Sequence, residues 1–226
     1  MLNWRRERFC YVPRDSSGLL QQKPFGLCAL VIYLAKFASK EPGSVGVVRL
    51  GDGDTFQSLA SICRVHINER RAFRNLVDEL LATPMVSLVP GARKTAIKPR
   101  IEGTLTIAEF AAWQCTPDTR RRIYASESPT FAQLPAFVRF FAMECTRTAQ
   151  DNGVVCDGTP AKMVREITLS EPKMPSAEAR NVFRERTQSR IDALLADGFF
   201  VSDGTVRIRN FETAQSRYVA TGPVES

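Results

Sequence analysis

Residues 54–82 read DTFQSLASICRVHINERRAFRNLVDELLA. Two amphipathic stretches flank a short turn. Phe56, Leu59, Ala60 and Cys63 share one face of a helix expected from Phe56 to Cys63, capped by Asp54 or Thr55. Arg64-Val65-His66-Ile67 then turns the chain. Asn68 is a good N-cap, and Glu69 suits the positive end of a second helix, expected from Glu69 to Ala82. There Ala72, Phe73, Leu76, Val77, Leu80 and Leu81 recur at i, i+3, i+4 spacing. The other face carries Arg70, Arg71, Arg74, Asn75 and Asp78. Any solvated helix face carries charge. Arginine can also neutralise phosphate or fork onto guanine, and asparagine can pair with adenine.

Upstream, Pro24 is suited to the first position of an apolar helix containing Phe25, Leu27, Cys28, Leu30, Val31, Leu34, Ala35 and Phe37. Glu41-Pro42-Gly43 stops it, and residues 45–50 read as a short strand. Gly51-Asp52-Gly53-Asp54 follows as a turn; the downstream bidentate glutamate of a calcium loop is missing. Downstream, Met85 to Val89 reads as a strand, Pro90 to Arg93 as a turn and Thr95 to Ile101 as the return strand. Arg93, Lys94, Lys98 and Arg100 load this hairpin with positive charge, suited to a phosphate backbone or a minor groove. Thr106 to Gln114 reads as a short helix.

The same order of elements can be read again further on. Phe131 to Thr148 is a second apolar helix whose regular part starts at Pro135. Thr159-Pro160 opens a short helix to Ile167, and Ser176 caps a long one from Ala177 to Asp197, stopped by Gly198. That helix is expected to pack through Val182, Phe183, Ile191, Leu194 and Leu195 and to expose Arg180, Arg184, Arg186 and Gln188. Phe199-Phe200-Val201 begins a hairpin, with Asp203-Gly204 as a type I′ turn signal. Third helices start 45 and 47 residues after the first ones, although residue identities do not repeat.

A chain of 226 residues suits two domains, and a hydrophobic fraction of 44% argues against wholesale disorder. The formal charge is +7, from 31 basic and 24 acidic residues, which suits a polyanionic partner. It is uneven. Residues 20–103 hold 12 basic and 7 acidic residues, residues 120–212 hold 14 and 12. The triplet Arg120-Arg121-Arg122 is open to two readings, a phosphate contact or a soluble linker. Cys10, Cys28, Cys63, Cys115, Cys145 and Cys156 show no C-x-x-C pairing and read as free thiols of a reducing cytoplasm. No signal peptide is expected at the start, and the longest apolar run, Leu27 to Leu34, is too short to cross a bilayer.

Taken together, these two arginine-faced copies resemble winged-helix DNA-binding proteins. As a pair they look like the tandem winged-helix replication initiators of plasmids and phages. The layout from about Pro24 to Phe211 carries the likeness. It implies a mainly α fold with small β-hairpin wings (α+β), as two tandem winged helix-turn-helix domains. The expected division is a basic arm at 1–23, a first domain with a trailing helix at 24–116, a linker at 117–129, a second domain at 130–212 and a flexible tail at 213–226. The resemblance implies that Arg70, Arg71, Arg74 and Asn75 read one major groove, and Arg180, Arg184 and Gln188 the next. The second turn, Leu169 to Pro175, is longer than the pattern uses.

The expected function is sequence-specific binding of double-stranded DNA, by a replication initiator or transcriptional regulator. The alternative is a winged-helix protein-interaction module, a phage or plasmid accessory factor acting on a host protein, since fold does not fix function. Expected partners are double-stranded DNA, a second copy of the chain and a replication or host protein, with no membrane. An enzyme is not expected. His66, the one histidine, cannot supply a nuclease's histidine pair, so Tyr11, Tyr33, Tyr124 and Tyr218 are poor nucleophiles. No phosphate-binding glycine motif is present, and no cofactor or metal is expected.

Overall fold

The computed structural model describes residues 9–14, 18–21, 23–51, 54–91, 102–115, 120–124, 127–171 and 174–216. Over these the chain is α+β, mainly helical with small antiparallel sheets. In chain order the elements begin with β1 (Phe9–Pro13), α1 (Phe25–Ala35), β2 (Val47–Gly51), α2 (Thr55–Ile62) and α3 (Arg70–Leu81). Next come β3 (Val86–Val89), β4 (Gly103–Ile107), α4 (Phe110–Cys115), β5 (Arg120–Tyr124), α5 (Pro129–Gln133) and α6 (Ala136–Thr148). The chain continues with β6 (Val154–Cys156), α7 (Pro160–Ser170), α8 (Ala177–Asp197), β7 (Phe200–Ser202), β8 (Val206–Ile208) and α9 (Phe211–Ser216). Two compact units result, Met1–Glu144 and Cys145–Ser226, and the division falls inside α6. Among the described residues no helix is long and apolar enough to cross a membrane.

In the first unit α1 is buried almost all round, from Leu27 to Ala35, as its unbroken apolar composition requires. A line of rings fixes the helices on it. Phe56 of α2 lies 5.8 Å from Phe73 of α3, Phe73 lies 6.1 Å from Phe140 of α6, and Phe140 lies 4.8 Å from Tyr33 of α1. Beside them is a three-stranded antiparallel sheet in the order β2-β4-β3. The residues of β4 alternate as a half-buried strand should, with Leu105 and Ile107 buried and Thr104 and Thr106 half-buried. Its first residue, Gly103, is crossed closely by backbone. A Cβ there would lie 2.7 Å from Gly91 N and 3.3 Å from Gly51 O.

The second unit repeats this strand order as β6-β8-β7. Its helices begin where local sequence says they should. Thr159 accepts from the Lys162 N–H with Pro160 at the first position of α7. Ser176 accepts from the Ala179 N–H at 3.0 Å, and α8 stops at Gly198 in the left-handed region, φ 79°. α8 packs through Thr187, Ile191 and Leu194.

Several expectations are corrected. Residues 1–23 hold a strand, not only an arm. β1 pairs antiparallel with β5, which occupies the expected linker at 117–129 together with the start of α5. Arg121 is therefore buried rather than displayed. The helix Phe131–Thr148 belongs up to Glu144 to the first unit, because its side chains complete that core. The strand β4 takes residues read as the start of a helix at Thr106, because the alternation around Leu105 and Ile107 outweighs the i, i+3, i+4 spacing from Ile107. The expected return strand, Thr95 to Ile101, lies outside the described residues. β6 was not anticipated. Val182 is 39% exposed, where packing was expected. The Asp203-Gly204 turn is a three-residue loop, Asp203 to Thr205, with positive φ at Gly204 and not at Asp203, so it is not type I′. Residues 213–216 lie in α9, ahead of the rest of the expected tail.

The close backbone approach at Gly103 generates a test. Gly103→Ala is expected to lower unfolding stability by roughly 1–3 kcal/mol, the scale of an overpacked site. Urea unfolding of the full chain measures it.

Candidate nucleic-acid interface

The sequence of α3 divides it by face. Phe73, Val77 and Leu80 are buried, and Leu76 and Leu81 half-buried. Arg70, Arg71, Arg74 and Asn75 are exposed, as is Ala72. Asp78 and Glu79 are also exposed, so the positive charge is confined to the N-terminal half of the helix. Two of the arginines are steadied by α2. The Arg74 guanidinium lies 4.0 Å from the centre of the Phe56 ring, and Arg70 reaches within 3.5 Å of Gln57 Oε1. Stacking on an aromatic face orients a guanidinium and leaves its N–H edge available.

What holds α3 in place is a buried arginine. Arg139 of α6 is wholly buried, and its five N–H groups all find acceptors. Nε donates to Leu134 O at 3.0 Å. One terminal nitrogen donates to Tyr33 Oη and approaches Glu127 Oε2 at 3.5 Å. The other donates to Cys63 O at 2.6 Å and Arg64 O at 3.1 Å. Those two carbonyls are the turn between α2 and α3. Arg64 sits there at φ 49°, a conformation that side chains other than glycine rarely adopt. The guanidinium thus secures a strained turn.

A second tie runs the opposite way. Glu69, just before α3, accepts from the N–H groups of Ala136 at 3.1 Å and Phe137 at 3.3 Å, and from His66 N at 3.4 Å. Its carboxylate caps α6 and the turn together, where negative charge at a helix N-terminus is favourable. Entry into α3 is accordingly a 3₁₀ turn, Ile67–Glu69, and Asn68 is not the cap that its residue type suggested.

The remaining charges of this cluster are Lys36 and Glu127, joined at 2.5 Å. Burial raises the Glu127 pKa. The bond and charge of Lys36, the Tyr33 hydroxyl and Arg139 outweigh that and hold its carboxyl below the usual range. Burial pushes Lys36 down, because its side chain, at 1% exposure, is more deeply desolvated than that of Glu127 at 9%. Burial also pushes the Tyr33 hydroxyl up, well beyond its usual value. The sequence reading missed Arg139, Glu127 and Lys36. The signal was Arg139 itself, a lone charge inside Phe137-Val138-Arg139-Phe140-Phe141.

In the second unit Arg180 and Arg184 are exposed on α8. Gln188 is half-buried and donates to Asp192 Oδ1 at 2.8 Å, so its amide is engaged along its own helix. Other polar groups of this unit are also paired with acids, Arg207 with Asp203 at 3.0 Å and Lys162 with Glu166 at 3.7 Å. Arg93, Lys94, Lys98 and Arg100 lie outside the described residues. The structure therefore gathers Arg70, Arg71, Arg74 and Asn75 on one face and places Arg180 and Arg184 on another helix. No protein-family model, curated protein or solved structure matches the chain.

Arg139→Ala is expected to destabilise the protein by about 3–5 kcal/mol, since it strands a buried partner charge and two turn carbonyls. Thermal unfolding measures this. The Glu127 pKa is lower folded than unfolded. Its contribution to stability is therefore full above the ordinary carboxylate range and is lost as pH falls through the depressed value. Unfolding stability measured from pH 6 downward should decline more steeply for the parent protein than for Glu127→Gln, which starts less stable and lacks this titration.

Proposed function

We propose that the chain is a sequence-specific double-stranded DNA-binding protein built of two tandem winged-helix domains, a replication initiator or transcriptional regulator of plasmid or phage type working in the cytoplasm. The observation that carries the reading is the exposed face of α3, with Arg70, Arg71, Arg74 and Asn75 in its N-terminal half. In helix-turn-helix proteins it is the N-terminal part of the second helix that meets base edges. Supporting it is the element order: helix, strand, two helices and two strands, with the last strand central in each three-stranded sheet. Asp78 and Glu79 would repel phosphates, which limits insertion to the first two turns of α3.

The two helices are unequal in this reading. α3 presents three arginines with no acid among them, whereas Glu185 stands between Arg184 and Arg186 of α8. A second reading, a protein-interaction module, is favoured by the nearly balanced charge of residues 120–212, 14 basic against 12 acidic. It replaces the first if a heterologous protein co-purifies and no duplex competes it away.

Binding to a duplex selected from a random pool should weaken steeply as salt rises. Replacing Arg70, Arg71 and Arg74 together by alanine is expected to cost at least about 100-fold in affinity and to flatten the salt slope by about one for each arginine on a phosphate. Fluorescence anisotropy across a salt series measures both; unchanged affinity in the triple variant overturns the assignment.

A further inference from the structure

Ile67 is the most exposed large apolar side chain among the described residues, at 77%. It opens the 3₁₀ turn that leads into α3. Counting from it, Arg70, Arg71, Arg74 and Asn75 stand at i+3, i+4, i+7 and i+8, so all five belong to one exposed helix face. Val65, two residues earlier, is turned into the core at 8% exposure. The backbone around them is held: Arg139 takes the carbonyls of Cys63 and Arg64 just before Val65, and Glu69 takes the His66 N–H between the two. Isoleucine is β-branched and stiff, so on this backbone it presents a defined apolar surface.

A major groove offers donors, acceptors and one kind of apolar group, the C5-methyl of thymine. An apolar side chain standing beside three arginines on a surface aimed at a polyanion finds shelter from water only there. We propose that Ile67 reads a thymine, packing on its methyl group while the arginines take the neighbouring guanines and phosphates. The inference rests on the DNA-binding reading and deepens it: the site recognised by α3 contains an A·T pair specified by shape rather than by hydrogen bonds.

The test uses the full chain and a pool of random duplexes. The parent protein should enrich a site with one invariant thymine. Replacing that thymine by deoxyuridine, which lacks only the methyl, should weaken binding about fourfold, the scale of one buried methyl group. Ile67→Ala should lose affinity for the thymine duplex to a similar extent and show no further loss with deoxyuridine. Because the side chain is exposed, this variant should unfold at the same temperature as the parent. If Ile67→Ala discriminates thymine from deoxyuridine as well as the parent does, or if no position is sensitive to the methyl, the inference is overturned while DNA binding stands. If the parent enriches no duplex, the DNA-binding reading falls and the inference falls with it.

Discussion

The guanidinium of Arg139 is the constraint on which the first unit depends. A charge with no exposure to water is tolerable only when each of its donors is met and a counter-charge lies near. Here Leu134, Tyr33, Glu127, Cys63 and Arg64 supply the acceptors. They come from several parts of the unit, so meeting one arginine fixes several elements together. α1 contributes through Tyr33, the approach to α5 through Glu127 and the α2–α3 turn through two carbonyls. Glu127 in turn neutralises Lys36, the other buried cation of this cluster.

That arrangement explains why the turn before α3 can be short and strained. Left-handed backbone at Arg64 has a cost that its own side chain does not offset. Two hydrogen bonds from Arg139 do so, and the reciprocal capping by Glu69 locks the start of α3 to the start of α6. A helix that is to read a groove must be placed to a fraction of an ångström, and supporting hydrogen bonds of this kind provide that precision. In the proposed function the buried polar cluster thus sets the direction of an exposed basic face without touching DNA itself.

The same geometry accounts for the asymmetry between the two repeats of the layout. α6 stands where a first helix of the second copy was expected, yet most of it completes the core of the first unit. α8 carries arginines too, but Glu185 stands among them and Gln188 bonds within its own helix. Charge of mixed sign suits specificity toward a protein surface better than affinity for a phosphate backbone. Similar layout therefore need not mean similar use.

Much of this was legible residue by residue. Asp54, Ser176 and Gly198 mark helix ends because capping is decided within three or four residues. The apolar face of α3 and its arginine face follow from a period of 3.6, and the central place of α1 from its lack of polar positions. Other features lay beyond the reach of local pattern. β1 and β5 each look like loop or linker alone and become strands only through pairing with one another. β4 was hidden by an apolar spacing compatible with either element. Arg139 reads as a polar interruption in an apolar helix until the acceptors that surround it, up to 106 positions away, are brought in by folding. The sequence by itself determined the longer helices, α1, α3, α6, α7 and α8, and the chemistry of their faces, because these are set by neighbours along the chain. Only the tertiary structure decided the unit boundary, the strand pairs and the anchoring of the turn, because each depends on groups that meet solely once the core has closed.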